Sequence, residues 1–145
     1  MKIVIHEDPL LEETEIVINC RSADTEVLRL LASLRAYEKK LTGLKDGKTY
    51  LLESSQVFYI DTVDKRTFLY TRSAVYETPL RLYELEERLA ANDFFRASKS
   101  CVINLRAIRS LAPDFGGRLE VTLENGERLS ISRQYAAAIK IRLGL

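Results

Sequence analysis

Three short polar segments of this 145-residue chain carry the side chains best suited to hold an anion. They are Asp64-Lys65-Arg66, Ser98-Lys99-Ser100 and Ser132-Arg133-Gln134. Each sets a basic residue among small or hydrogen-bonding neighbours, and each adjoins a β-patterned run that would hold it rigid. Lysine offers a compact charge to phosphate, whereas the arginine fork also matches the acceptor edge of guanine. Ser100 and Gln134 can donate to phosphate oxygens. The middle segment lies within a longer stretch, Phe94 to Leu111 (FFRASKSCVINLRAIRSL), which holds Arg96, Lys99, Arg106 and Arg109 and no carboxylate. A basic, small-residue segment between an aromatic anchor and a strand can face nucleic-acid phosphate. On charge alone, however, a solvated loop before a strand is the better reading.

Other chemistry finds little support. The one histidine, His6, sits near the start of the chain, where no serine or cysteine and carboxylate set can be assembled around it. There is no glycine-rich phosphate cradle and no zinc-ligand spacing. Glu53, Asp61 and Glu77 lie in or beside strand-like runs, but nothing pairs them as acid and base. An enzyme is not expected, nor a cofactor or metal. Aromatic residues alternate around the first polar segment (Phe58, Tyr59, Phe68, Tyr70), a pattern better explained by core and cross-strand pairs than by base stacking.

The framework that must position these segments is ordinary in composition, with 46% hydrophobic and 30% charged residues. Net charge is +1, and the excess of base lies beyond residue 44. No apolar run reaches the roughly 18 residues of a membrane span, and MKIVIHEDPL does not read as a secretory leader. Cys20 and Cys101 each occupy an apolar alternating run, which predicts two buried, reduced thiols in a cytoplasmic protein.

In chain order, residues 2–6 and 15–20 read as short strands around an acidic loop. A helix is predicted from about Ala23 to Lys40, with Val27, Leu30, Leu31, Leu34, Tyr37 and Leu41 forming its apolar stripe and Lys39 and Lys40 at its end. Strands follow: a hairpin at Asp46-Gly47, a pair around Asp64-Lys65-Arg66, then a helix opened by Thr78 as cap and Pro79 as first residue. Its buried stripe is Leu82, Leu85 and Leu89. Beyond Asn92-Asp93 the pattern returns to strands, with a turn at PDFGG and a hairpin at Asn125-Gly126, a type I′ candidate. Ser132 then caps a last helix. The fold class is α+β, mainly antiparallel β.

The order of motifs adds to this reading. FFRASKSCVINLRAI resembles the signature phrase of the LytTR family of bacterial DNA-binding domains, with Ser98 where that phrase has histidine. VFYIDTVDKRTFLYT, TPLRLYELEERL and ENGERLSISRQY resemble the family's paired strands, its helix and its closing hairpin. The resemblance covers about residues 41–145. It implies an elongated fold of stacked small β-sheets with one inserted helix, and binding of double-stranded DNA through loops. Carried over, the contacts fall on Lys65 (with Arg66 as its rival), Lys99 and Arg133, flanked by Ser100 and Gln134. Two units are expected: 1–41, whose apolar faces must cover either the rest of the chain or a second copy of it, as a dimerisation or signal-input extension, and 42–145 as the DNA-binding domain that the resemblance implies. The family's usual receiver domain would not fit in the 40 residues before it. A homodimeric transcriptional regulator without phosphorylation input is therefore expected, its signal coming through residues 1–41, a regulatory protein partner or expression level. The competing class is a protein-interaction module of the same fold.

Overall fold

The computed structural model describes residues 1–37 and 40–145. Lys39 and the side chain of Tyr37, both assigned to the first helix from sequence, lie outside the described residues. The described helix α1 spans Thr25–Tyr37, opened by the Asp24 carboxylate, which accepts from the Val27 amide. Lys40 is not a helix end. It begins strand β1, Lys40–Lys45.

Ten strands and three α-helices make up the described fold. β1 turns at Asp46 and Gly47, both with positive φ, into β2 (Lys48–Glu53). β3 (Val57–Val63), β4 (Arg66–Thr71) and β5 (Val75–Thr78) follow, then α2 (Leu82–Leu89). β6 (Phe94–Ser98) and β7 (Cys101–Asn104) complete a seven-stranded antiparallel sheet in the order β2-β1-β5-β4-β3-β7-β6. β8 (Ile108–Pro113), β9 (Leu119–Leu123) and β10 (Arg128–Ile131) form a second, three-stranded sheet, and α3 (Arg133–Arg142) closes the fold.

The central strands of the large sheet, β3 and β7, are buried on both faces. One face sets Val57, Ile60, Leu69 and Val102 against Ala32 of α1 and Leu82, Leu85 and Leu89 of α2. The other sets Phe58, Tyr59 and Ile103 against Val121, Leu123 and Ile131 of the small sheet and Ala136 and Ile139 of α3. The three leucines of α2 recur at three- and four-residue spacing, so one stripe of the helix faces the sheet. Gly43 is required in β1, because a Cβ there would lie 2.8 Å from Tyr76 Cβ. At the far corner the buried Asn104 amide donates to Val57 O (3.0 Å) and accepts from the Arg106 amide (3.0 Å).

Several local expectations are corrected. Residues 2–6 and 15–20 form no strand and stand largely exposed, because in the single chain no sheet edge receives them. Thr78 does not cap α2. It ends β5 and is buried, and the helix begins four residues later at Leu82, just after Arg81, whose amide donates to Glu84 (3.3 Å). The turn at Asn125-Gly126 is not type I′, since only the glycine has positive φ. A longer loop bonds Gly126 N to Leu123 O and Leu123 N to Glu127 O. Cys20 is not a core thiol; it is exposed, and only Cys101 is partly buried.

Burial, with a lesser push from the Asp61 carboxylate, raises the Cys101 thiol to about 12. The thiolate is the nucleophile, so at neutral pH Cys101 should be inert. Native protein should therefore consume one equivalent of thiol reagent quickly, at Cys20, and the second only on denaturation. Two fast equivalents, or labelling of Cys101 before Cys20, would contradict this assignment.

Candidate nucleic-acid interface

The pairing of β3 decides where the basic segments stand. β3 runs antiparallel to both neighbours, with Val63 opposite Arg66 on β4 and Asp61 opposite Cys101 on β7. The β3–β4 turn and the β6–β7 turn therefore leave the sheet at the same end. A hydrogen bond from Thr62 N to Ser100 O (2.9 Å) joins them. The third segment reaches the same end from the small sheet, where Ser132 N donates to Ala97 O (2.8 Å). That bond seats the start of α3 beside edge strand β6, two residues from Lys99. The structure thus brings Lys65, Lys99 and Arg133 together at one end, with Ser100 and Gln134 beside them, all exposed. The tip of the β1–β2 hairpin, including Lys48, points the other way. Leu44 pairs with Glu77, so β1 runs on past Tyr76 towards the opposite end.

Each tip is held by its own local chemistry. Asp64 and Lys65 both adopt positive φ, 51° and 65°, which makes the two-residue turn that matches strand twist. Arg66 is the first residue of β4 and not part of the tip. Its guanidinium grips Glu77 through two bonds, 3.0 and 2.6 Å, and the bond from Arg66 holds the Glu77 carboxyl below its ordinary range. The β6–β7 turn is clamped by Arg96. Two bonds tie Arg96 to Glu86 of α2 (3.2 and 2.9 Å), and a third runs to Lys99 O (2.8 Å). Ser98 Oγ accepts from Ser100 N (3.3 Å). Arg133 lies along the Gly117 backbone, so that a Cβ on that glycine would meet Arg133 Cγ at 3.3 Å.

The basic stretch Phe94–Leu111 therefore divides. Arg96 belongs to Glu86, and Arg106 bonds Asp93 (2.8 Å), which Arg142 also reaches (2.9 Å). These bonds, Arg106 first, hold the Asp93 carboxyl below its usual range. Lys65, Lys99 and Arg133 make no ion pair among the described residues. Sequence reasoning missed the supporting roles of Arg96 and Asn104, because their partners, Glu86 and Val57, are distant in the chain.

No helix pair joined by a short turn occurs among the described residues; the exposed basic groups sit on strand turns and at the start of α3. This arrangement is a β-scaffold that carries exposed basic groups on its turns. Residues 47–144 match the model of the LytTr DNA-binding domain; the chain belongs to the LytTR family. It is 26% identical over 100 residues to the sensory transduction protein LytT of Enterococcus faecalis, covering 69% of this chain and 41% of that protein. It is 28% identical over 135 residues to an uncharacterized HTH-type transcriptional regulator of Staphylococcus aureus, covering 92% of this chain and 91% of that one. Among solved structures, the LytTr DNA-binding domain of a putative methyl-accepting/DNA response regulator from Bacillus cereus superposes with a TM-score of 0.70 at 25% identity, over 74% of this chain and 98% of that domain. The fold class read from sequence is thereby borne out. No helix among the described residues is long and apolar enough to cross a membrane.

Proposed function

We propose that this chain is a cytoplasmic bacterial transcriptional regulator that reads duplex DNA with the turn end of its large sheet. The observation that carries the proposal is the convergence of Lys65, Lys99 and Arg133 at one end of the sheet, on turns fixed by hydrogen bonds. Turns already fixed in place lose little backbone entropy on binding. Arg133, on a helix start and backed by Gly117, is the base reader in this account, since its fork suits guanine. Lys99 and Ser100 take phosphate, as does Lys65. Arg66 is paired with Glu77, which favours Lys65 over it. The similarity to the Staphylococcus aureus regulator along nearly its whole length supports control without a phosphorylated receiver.

The test is duplex binding, by anisotropy at two salt concentrations, with a sequence recovered by random-oligonucleotide selection. Arg133→Ala should cost roughly 1–3 kcal/mol and relax preference at one base pair, and Lys99→Ala should lower the salt slope by about one. Lys48→Ala should bind like wild type. If all the variants bind alike, the surface is assigned wrongly; if nothing selects a duplex, the protein-interaction reading takes over.

Dimerisation is the second part. α1 is seated on its own domain through the buried Ala32 and through Arg29, which bonds Glu84 (2.6 Å) and Pro79 O (2.6 Å). The unspent apolar surface is instead the arm before it, where Ile3, Ile5, Leu10 and Val17 are 83%, 83%, 91% and 73% exposed. Residues 15–21 (EIVINCR) are charge-complementary to themselves. Antiparallel pairing of two copies about Ile18 sets Glu15 of each against Arg21 of the other and covers the apolar positions between. Light scattering should find a dimer that deletion of residues 1–22 abolishes. Glu15→Arg should weaken it, and Glu15→Arg with Arg21→Glu should restore it. A full chain that is monomeric at tens of micromolar would refute arm pairing.

A further inference from the structure

We infer that the loop Asp114–Arg118, between β8 and β9, is a fourth contact tip of the DNA-binding end. In this assignment Phe115 packs on the sugar and base surface of the duplex, and Arg118 meets a phosphate. The inference rests on the duplex-binding reading proposed above.

Position comes first. Pro113 pairs with Leu119, and Leu119 pairs with Ile131. The loop therefore emerges beside Ser132 and Arg133, and Gly117 touches the Arg133 side chain. The tips thus follow one another along a single end: the β3–β4 turn, the β6–β7 turn, the α3 start and this loop.

Conformation comes second. Phe115 is 84% exposed, and a single exposed apolar side chain is ordinary on a protein surface. This one is held out by a fixed backbone. The Asp114 carboxylate accepts from Phe115 N (2.7 Å), Arg118 Nε donates to Phe115 O (3.0 Å), and Asp114 N donates to Arg118 O (2.8 Å). Gly116 and Gly117 supply the positive φ values, 74° and 81°, that close the turn. Both polar backbone groups of Phe115 are thus satisfied inside the loop, which presents the ring to solvent. The nearest carboxylate, Asp114, is occupied by that same amide, and the neighbouring charged side chains are Arg118 and Arg133. An apolar ring on a loop that carries the exposed Arg118 and lies beside the Arg133 side chain fits a polyanion with an apolar groove wall.

Duplex binding by the intact chain tests this, using the selected duplex at two salt concentrations. Phe115→Ala should weaken binding about three- to tenfold, as expected for one side chain losing its apolar contact. Its salt slope should not change, since no charge is lost, and Phe115→Leu should retain most of the affinity. Arg118→Ala should lower the slope by about one. The Phe115 ring stands in solvent, so thermal unfolding of Phe115→Ala should match wild type; an affinity loss that tracks a stability loss would overturn the assignment. If Phe115→Ala and Arg118→Ala bind like wild type while Arg133→Ala is weakened, this loop is no contact and the wider reading stands. If the wild-type chain binds no duplex, both fall together.

Discussion

The register of β3 between β4 and β7 is the constraint on which the rest depends. Both faces of this strand are buried, Val57 and Ile60 under the helices and Phe58 and Tyr59 under the small sheet. A slip by one residue would exchange the two sets and unpack both cores. The irregularity between Val57 and Tyr59 is what lets the adjacent Phe58 and Tyr59 share a face, against the usual alternation. With that register fixed, two hairpin turns must leave the sheet together, and the Thr62–Ser100 bond follows. The Tyr59 hydroxyl adds a tie to the small sheet by donating to Glu127 (2.6 Å), and stacking with Tyr70 holds the ring. Burial, then the bond to Glu127, pushes that phenol well above its ordinary range.

Charge is sorted by the same framework. Arginines whose work is structural sit where a strand or helix brings a carboxylate alongside: Arg29 with Glu84, Arg66 with Glu77, Arg96 with Glu86. Exposed pairs of this kind contribute little stability, but each removes a cation from the set available to an outside anion. What remains at the turn end is a small group of cations on rigid tips. A net charge of +1 therefore conceals a locally directed positive surface, which is the relevant quantity for a polyanionic partner.

Much of this was legible in the sequence because it is local. Hairpins at Asp46-Gly47 and around Asp64-Lys65, the leucine stripe of α2, the glycine turn after Pro113 and the strands near residues 101–103 and 107–111 all rest on short-range periodicity and turn chemistry. The failures also have physical causes. The segments 2–6 and 15–20 have β patterning, but a strand needs a partner edge, and neither segment pairs with an edge of either sheet. Thr78-Pro79 has the chemistry of a helix start, yet cross-strand pairing of Thr78 with Thr67 outcompetes the cap. Asn125-Gly126 carries a two-residue turn signal that the register of Leu123 with Ile108 and of Thr122 with Arg128 converts into a longer loop. Of the candidate site, the three tips could be found from residue type and order; the identity of the paired and unpaired cations could not, because Glu77 and Glu86 reach Arg66 and Arg96 only through the tertiary fold.

The central claim is that one end of the large sheet, and not a helix face, meets DNA. Amide hydrogen exchange of the intact chain, with and without a selected duplex, tests it most directly. The account predicts slowed exchange at residues 62–66, 97–101 and 131–135, with no change at residues 45–49 on the opposite end. Protection confined to the outer faces of α1 and α2, with the turns unaffected, would contradict it.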